Sequence, residues 1–477
     1  MAKQKKKVVD REAGGAREVT GTRGKIISII AIAFSLVQIY MNSIGTMQEI
    51  YRNAIHLTFL FVLGFLMFPA TSKSAKDRFS IFDILLAILG IAGGLYIVFF
   101  YQDIHGVRNS QAILQDYVFA VLAIVLTLEA ARRTIGLFVP LLSIFAIIYA
   151  LYGPYFPGMF AHAGFSVERL LFRMYMTTEG LLGMTIAISS TYIFLFILFG
   201  AFLQKSGAAQ LFNDLSTAIA GRYRGGPAKV AVVSSGMMGM LNGSAVANVA
   251  TTGSFTIPLM KSIGYKPRFA GAVEAAASTG GMIMPPIMGA AAFIMVGFLG
   301  VPYSTILIAG IVPALLYYIS ILIMVDIEAK RLGLKGLSKE MIPRVFSVLK
   351  ARGALLLPII IVVWALMTGK TPLYAGFIGI ISTIVASWFN KKTRIGIKEL
   401  FQALELGAKA AVQVGIATAC GIIVGVVAMT SVGSTLAYNI TQISGGMLPV
   451  TLILIMVTSI VLSLGGYHQR HSILSLP

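Results

Sequence analysis

The 477-residue chain has little of what builds a soluble active centre: 12% of its residues are charged, five are histidine and one is cysteine. That lone cysteine, Cys420 inside an apolar run, excludes a disulfide framework and a cysteine-ligated zinc site. The histidines are scattered and form no HExxH or comparable pair. An embedded enzyme would need paired histidines or acids, a nucleophile with its base, or a metal motif. The apolar segments carry none of these, so the chain is not read as an enzyme. Acidic residues are also short, 18 against 38 Lys and Arg, for a net charge of +20. An excess of that size can signal nucleic acid. Here the basic residues fall in short clusters between apolar runs, the pattern of the positive-inside rule, so no nucleic-acid partner is expected.

What the chain does have is apolar length. Hydrophobic residues make up 57% and the mean hydropathy is +0.86, far from soluble usage. Repeated runs of spanning length predict an all-α, polytopic helical membrane protein. Residues 1–24 are a basic tail, MAKQKKKVVDREAGGAREVTGTRG, read as cytoplasmic. The run from Ile26 is too long for a signal-peptide core. Spans follow at Ile26–Ile44, Ala54–Phe68, Ile81–Tyr101, Tyr117–Ala130 and Leu137–Tyr152. With the N-terminus inside, Ser72–Arg78 and the Arg132–Arg133 pair also fall inside. Residues 25–153 then form a first helical part. Residues 154–180 lie outside, where Phe, Tyr and Met mixed with Arg169 and Arg173 predict an interfacial helix. Residues 181–477 form a second part, with spans at Leu182–Leu203, Ile306–Met324, Leu355–Met367, Tyr374–Phe389 and Ala408–Ser431. Trp364 and Trp388 read as interfacial or packing residues.

The second part contains the most informative stretch. GMMGMLNGSAVANVATTGSFTIPLM (Gly236–Met260) and FAGAVEAAASTGGMIMPPIMGAA (Phe269–Ala291) are rich in Gly, Ser, Thr and Asn and carry the pair Pro285-Pro286. At membrane depth, backbone breaks survive only where protein buries them or water lines them. Short apolar segments broken by Gly and Pro therefore point to the site of a secondary transporter. Lys229 precedes the first stretch, and Lys261, Lys266 and Arg268 follow it, so it enters and leaves on one side as a re-entrant hairpin. The second crosses with its break at the proline pair.

A faint repeat accompanies this topology. FGAFLQKSGAAQLFND (Phe199–Asp214) resembles VVAMTSVGSTLAYNIT (Val426–Thr441), with Gly207 and Asn213 matched by Gly433 and Asn439. The first copy bears Lys and ends inside; the second has no Lys or Arg and ends outside. Opposite direction and opposite charge bias predict a partial inverted repeat.

Several residues carry chemistry. Asn242, Gly243 and Ser244 form the expected hairpin tip, where glycine permits positive φ and serine can cap the returning helix. A helix N-terminus there offers unpaired N–H groups to an anion, and freed carbonyls offer oxygens to Na⁺. Close helix packing of the GxxxG type is the competing reading for Gly236 and Gly239. Ser278, Thr279 and Gly280, with Pro285 and Pro286, are the expected facing break. Substrate or ion contact is thus expected at Asn242, Gly243, Ser244, Asn248, Ser278, Thr279, Gly280, Pro285 and Pro286, with Na⁺ possible at Asn242, Ser244, Ser278 and Thr279. Asn248, Thr251 and Thr252 serve equally as bonds between helices. Glu274 is the coupling candidate. An acid among small residues in a membrane helix can carry a proton, complete a Na⁺ site or pair with Arg268. Glu129, before Arg132, reads as a surface pair.

The run GMLNGSAVANVATTGSFTIPLMKSIGYKPRFAGAVEAAASTGGMIMPPIMGAAAFIM resembles the membrane permease of tripartite ATP-independent periplasmic (TRAP) transporters, in the DctM-like branch fused to its small subunit and served by TAXI-type binding proteins. Residues up to about Ala130 are similar to the family's four-helix small subunit in hydropathy and topology alone. The resemblance implies an elevator-type secondary transporter in a bacterial or archaeal cytoplasmic membrane, without cofactor. It would import a small, anionic, carboxylate-type solute from a periplasmic TAXI-type binding protein, driven by Na⁺ or H⁺. Two departures stand out. Ile294–Gly300 (IMVGFLG) lacks the acidic residue that related chains often place after the Met. After Leu464 the sequence changes to GGYHQRHSILSLP, foreign to the second hairpin the family would have there, which predicts a truncated or frameshifted product. A non-transporting permease fragment or scaffold is accordingly the alternative reading.

Overall fold

The computed structural model describes residues 16–467 except Glu18, Thr46, Ser72, Lys73, Lys76 and Cys420. The bulk of the basic tail, Cys420 and the terminal residues from His468, on which the truncation reading rests, lie outside the described residues. Those described form helices and turns, and eight of their helices are long and apolar enough to cross a membrane. Helices α1 (Gly21–Ser43), α2 (Glu49–Met67), α3 (Ile81–Gln102), α4 (Leu114–Thr134) and α5 (Phe138–Leu151) lie on the five apolar runs of the N-terminal part. Next come α6 (Val167–Leu171), α7 (Met184–Ser206), α8 (Ala208–Ala220), α9 (Gly226–Asn242), α10 (Ala245–Ser262), α11 (Pro267–Gly281), α12 (Ala290–Leu299) and α13 (Tyr303–Arg331). The chain continues through α14 (Val345–Arg352), α15 (Leu357–Met367), α16 (Pro372–Ser387), α17 (Ile397–Ala419), α18 (Gly421–Thr430), α19 (Val432–Ile443) and α20 (Leu448–Tyr467).

By packing, the chain divides into two units. One contains Met47–Ala187 and the segment from Val412 onward. Here α2 and α3 pack closely because α3 turns glycines toward α2. A Cβ on Gly90 would lie 2.7 Å from the Cβ of Phe61, and one on Gly94 would overlap Thr58. In lipid, where apolar contact with a tail is as good as contact with another helix, such close approach is what holds helices together. Helix α3 starts with a capping box, the Ser80 and Asp83 side chains each bonding the other's backbone N–H. Asp83 also anchors a buried ionic network. Its two oxygens take Arg17 at 2.5 Å and Arg133 at 2.6 Å, and Arg133 reaches on to Glu129 at 2.7 Å. The reading of Glu129 as a surface pair is therefore too narrow: it bonds Arg132 as expected and also closes this network. The expected interfacial helix between Gly153 and Gly180 shrinks to Val167–Met176, whose last residues Met174, Tyr175 and Met176 are fully buried. Tyr175 donates to the carbonyl of Gly93 at 2.6 Å, which draws that end into the helices.

The other unit contains Ser28–Thr46 and Ile188–Ala411. Helix α7 holds a π-turn at Ser189–Ile193, where the carbonyl of Ser190 accepts a 2.7 Å bond from Asn42. Helices α15 and α16 form an antiparallel pair in which Gly379 admits Val362 and Phe199. The remaining core joins α9, α10, α11 and α13 around Val232, Met260, Val273, Ala277, Tyr318 and Val325. This bundle carries the glycine-rich stretch.

The two segments matched in the sequence share one local feature, a residue of positive φ followed by an amphipathic helix. Helix α7 ends at Gly207 in the left-handed region (φ 90), and amphipathic α8 follows. Likewise α18 ends at Ser431 (φ 55), and α19 follows. Gly433, matched to Gly207 in the sequence, lies within α19.

Candidate functional site

The hairpin is made by its punctuation. Gly225 takes φ 64, and Pro227 sits in the first turn of α9, where its missing N–H would have had no helical partner. Helix α9 runs 17 residues, about 25 Å, and stops at Gly243, whose φ of 61 suits glycine. Ser244 stands before α10, and its carbonyl takes the first helical bond, from Asn248 N–H at 3.0 Å. The tip is approached by the break on the far side of α11. A Cβ on Gly243 would come within 3.0 Å of the carbonyl oxygen of Met288.

The break itself spans residues 282–289, between α11 and α12. It contains Pro285 and Pro286 as expected, and its carbonyls at Pro286 and Ile287 accept from the Tyr303 hydroxyl. Ser278, Thr279 and Gly280 are not part of it. They remain in α11, because the sequence stays helix-compatible through Gly281 and the first proline comes four residues later. Gly280 is a packing glycine: a Cβ there would lie 2.5 Å from the Tyr317 ring. Gly239 packs on Gly281, and Gly236 against Tyr318, so both glycines serve close helix approach. The Tyr317 and Tyr318 hydroxyls donate to the Ala276 and Ala277 carbonyls at 3.0 and 2.7 Å.

Ser278 and Thr279, expected together around Na⁺, face apart because consecutive helical residues diverge by about 100°. Thr279 is exposed and donates to its own helix at Ala275, 2.8 Å away. Ser278 is fully buried and turned toward Glu274. Around that carboxylate the three helices meet. Ser235 of α9 donates to Oε1 at 2.7 Å, Thr252 of α10 donates to Oε1 as well, and Thr256 donates to Oε2 at 2.6 Å. Ser278 lies 3.4 Å from Oε1. Asn248 closes the cluster, donating to the Ser235 carbonyl at 2.8 Å and the Ser278 hydroxyl at 3.0 Å. Glu274, Asn248, Thr252, Thr256, Ser235 and Ser278 include no exposed member. Arg268 is exposed and does not pair with Glu274; the acid's partners are hydroxyls.

Ser235 and Thr256 escaped the sequence reading. For Thr256 the signal was spacing: Thr252 and Thr256, like Glu274 and Ser278, stand four residues apart and so share a helix face. Thr251 faces elsewhere, accepting from Gln204 at 3.1 Å. At the base of the hairpin, Lys229 and Arg224 both bond Asp326 of α13, which ties α9 to α13.

The model of the tripartite ATP-independent periplasmic transporter DctM component matches residues 122–465. The chain belongs to this family. Its members are transport components and not enzymes. Among curated proteins, the C4-dicarboxylate TRAP transporter large permease protein DctM of Pseudomonas aeruginosa is 30% identical over 205 residues, 42% of this chain and 47% of that one. The 2,3-diketo-L-gulonate TRAP transporter large permease protein YiaN of Escherichia coli is 30% identical over 35% of this chain and 39% of its own length. The sialic acid TRAP transporter large permease protein SiaM of Vibrio cholerae is 26% identical over 43% and 49%. The matched part of the chain spans less than half the length of each of these relatives. Family and helices together make this a multi-pass membrane protein.

Proposed function

We propose that the chain is the permease of a secondary active transporter that imports a small carboxylate-type anion handed over by a periplasmic binding protein of the TAXI type. An ion gradient, Na⁺ or H⁺, drives the uptake. Residues 25–153 act as the small subunit and 181–477 carry the transport domain, with the N-terminus cytoplasmic in the inner membrane. The helix–turn–helix segments around Gly207 and Ser431 are the related parts of an inverted repeat. Three relatives bear names of organic acids, which supports an anionic solute.

The observation that carries this reading is the juxtaposition of the Gly243 tip with the Met288 backbone, directly beside the Pro285-Pro286 break. A helix N-terminus at Ser244 supplies N–H donors to a carboxylate, and a broken helix supplies carbonyls to a cation. Asn242, Gly243, Ser244, Pro285 and Pro286 form the contact set, with Glu274 coupling the ion to the movement. Pro285→Ala combined with Pro286→Ala should let the break close into helix and remove those carbonyls. In cells that also produce the binding protein, uptake of a panel of radiolabelled small carboxylates should fall at least about tenfold, about 1.4 kcal/mol of barrier, while membrane abundance holds. Uptake at the parental rate would make the prolines a simple kink.

A further inference from the structure

We propose that the segment Lys335–Arg352, between α13 and α15, is an anchor that gathers anionic phospholipid headgroups. The proposal rests on α13 and α15 lying in the membrane and not on the transport reading.

The position of the segment comes first. Helix α13 is long and apolar enough to cross a membrane, and so is the stretch Lys339–Met367 that carries α14 and α15. The chain between them therefore runs at the depth where two spans meet the headgroups. Its charge is one-sided. From Lys330 to Arg352 there are seven Lys and Arg and a single acid, Glu340. Glu328 holds Arg331 at 2.9 Å, and Asp214 holds Arg352 at 3.0 Å. Lys330, Lys335, Lys339, Arg344 and Lys350 are exposed and make no ion pair among the described residues.

The segment is also fixed in place. Leu337 is buried, and its N–H donates at 2.9 Å to the carbonyl of Gly221, just past the end of α8. Farther on, α14 packs against α8, with Val348 buried and Arg352 bonded to Asp214 of that helix. Asn390 adds a 2.7 Å bond to the Ala351 carbonyl. Val348 and Arg352 stand four residues apart and mark the seated face of α14. Val345, Phe346 and Leu349 are left exposed, Phe346 by 78%. Met341, in the short turn Lys339–Met341 before α14, is 57% exposed. Lys350 follows Phe346 by four residues and shares its face.

Exposed apolar side chains interleaved with unpaired cations fit one kind of surface. Acyl chains take Phe346, Leu349 and Met341 out of water, while the stems of Lys350 and Arg344 lie along them and the charged heads reach phosphate. Neutral lipid would cover the apolar side chains and leave the cations without anions. Each cation near an anionic surface favours it by about fivefold. A soluble polyanion would satisfy the cations and leave Phe346 in water. Anionic phospholipid meets both needs.

Fluorescence quenching of the full chain in liposomes tests this. In a Cys420→Ser background, Val345→Cys carries a bimane fluorophore, and Leu316→Cys, exposed in the middle of α13, carries it as the control. The liposomes hold a minority of phosphatidylglycerol in phosphatidylcholine, with bromine on the acyl chains of one lipid or the other. At position 345, brominated phosphatidylglycerol should quench at least about threefold more than its share of the bilayer. At position 316 it should quench in proportion to that share. Lys339→Gln, Arg344→Gln and Lys350→Gln combined should bring position 345 down to the same proportion. High salt should do this to the parent, because exposed charges are screened, and that arm decides if the triple variant does not fold. Proportional quenching at position 345 in the parent at low salt overturns the proposal. Absence of quenching there by either lipid overturns it too, and shows that water or a soluble partner meets this face. Loss of the excess on adding inorganic phosphate at constant ionic strength would make the segment a free-anion site and overturn it equally. Enrichment in a chain that moves no solute would refute the transport reading and leave this one standing.

Discussion

At the scale of single residues, the buried polar atoms separate into those that found a partner and those that did not. Tyr318 is nearly fully buried and gives its hydroxyl to Ala277. Tyr265, in the turn between α10 and α11, buries a hydroxyl with no hydrogen-bond partner. Burial, with Asp326 and Glu328 adding to it, pushes that phenol up to about 12, so it stays neutral at physiological pH. Removing an unpartnered hydroxyl relieves a desolvation cost, whereas removing a paired one strands a carbonyl. Tyr265→Phe should therefore leave the detergent-solubilised unfolding temperature unchanged or raised, while Tyr318→Phe should lower stability by about 1 kcal/mol. Equal losses in the two variants would contradict the contrast. Glu274 was legible in the sequence because a lone acid in an apolar run is conspicuous. Ser235 and Thr256 were not, because serine and threonine are common in membrane helices; the spacing of Thr252 and Thr256 was the one hint, and Ser235 joins them through the three-helix crossing.

At the scale of elements, long apolar runs were easy to place, since lipid demands continuous helix across its thickness. Their ends were harder, and so was the extent of the break: glycine and serine suggested an early end to α11, yet it holds to Gly281. The two turns after α7 and α18 show the same limit. Neither Gly207 nor Ser431 was read as a turn; glycine takes positive φ freely, and serine rarely does. This difference makes the turns unequal. Gly207→Ala places a side chain where φ is 90 and should cost about 1 kcal/mol or more, whereas Ser431→Gly should gain up to about 1 kcal/mol by relieving the left-handed conformation. Thermal unfolding of both variants beside the parent gives the signs directly. A stabilised Gly207→Ala would show that the backbone there can relax.

At the scale of the whole molecule, basic charge is what orients helices in a membrane. The positive-inside rule acts through short loops, and the basic residues between Arg222 and Arg268 flank the hairpin on both sides. Neither α9, 17 residues long, nor α10, 18 residues with Pro258 inside it, is among the eight helices able to span alone. Under the proposed topology the hairpin enters and leaves on the cytoplasmic side. Arg222 and Lys266 are exposed, whereas Lys229 is committed to Asp326, so the first two are the better reporters. Gln111, exposed between α3 and α4, reports the opposite face under the same topology. In a Cys420→Ser background, Arg222→Cys and Lys266→Cys should react with a membrane-impermeant maleimide only after the membrane is opened. Gln111→Cys should react in intact cells. If positions 222 and 266 label from opposite faces, the stretch from Gly226 to Ser262 crosses the membrane. Gly243 would then no longer be a re-entrant tip, and the contact set built on it would fall with it. Labelling of all three from the same face would reverse the placement of α3 and α4 and leave the hairpin intact, because its evidence is the symmetry of its flanks and not the direction of the N-terminus.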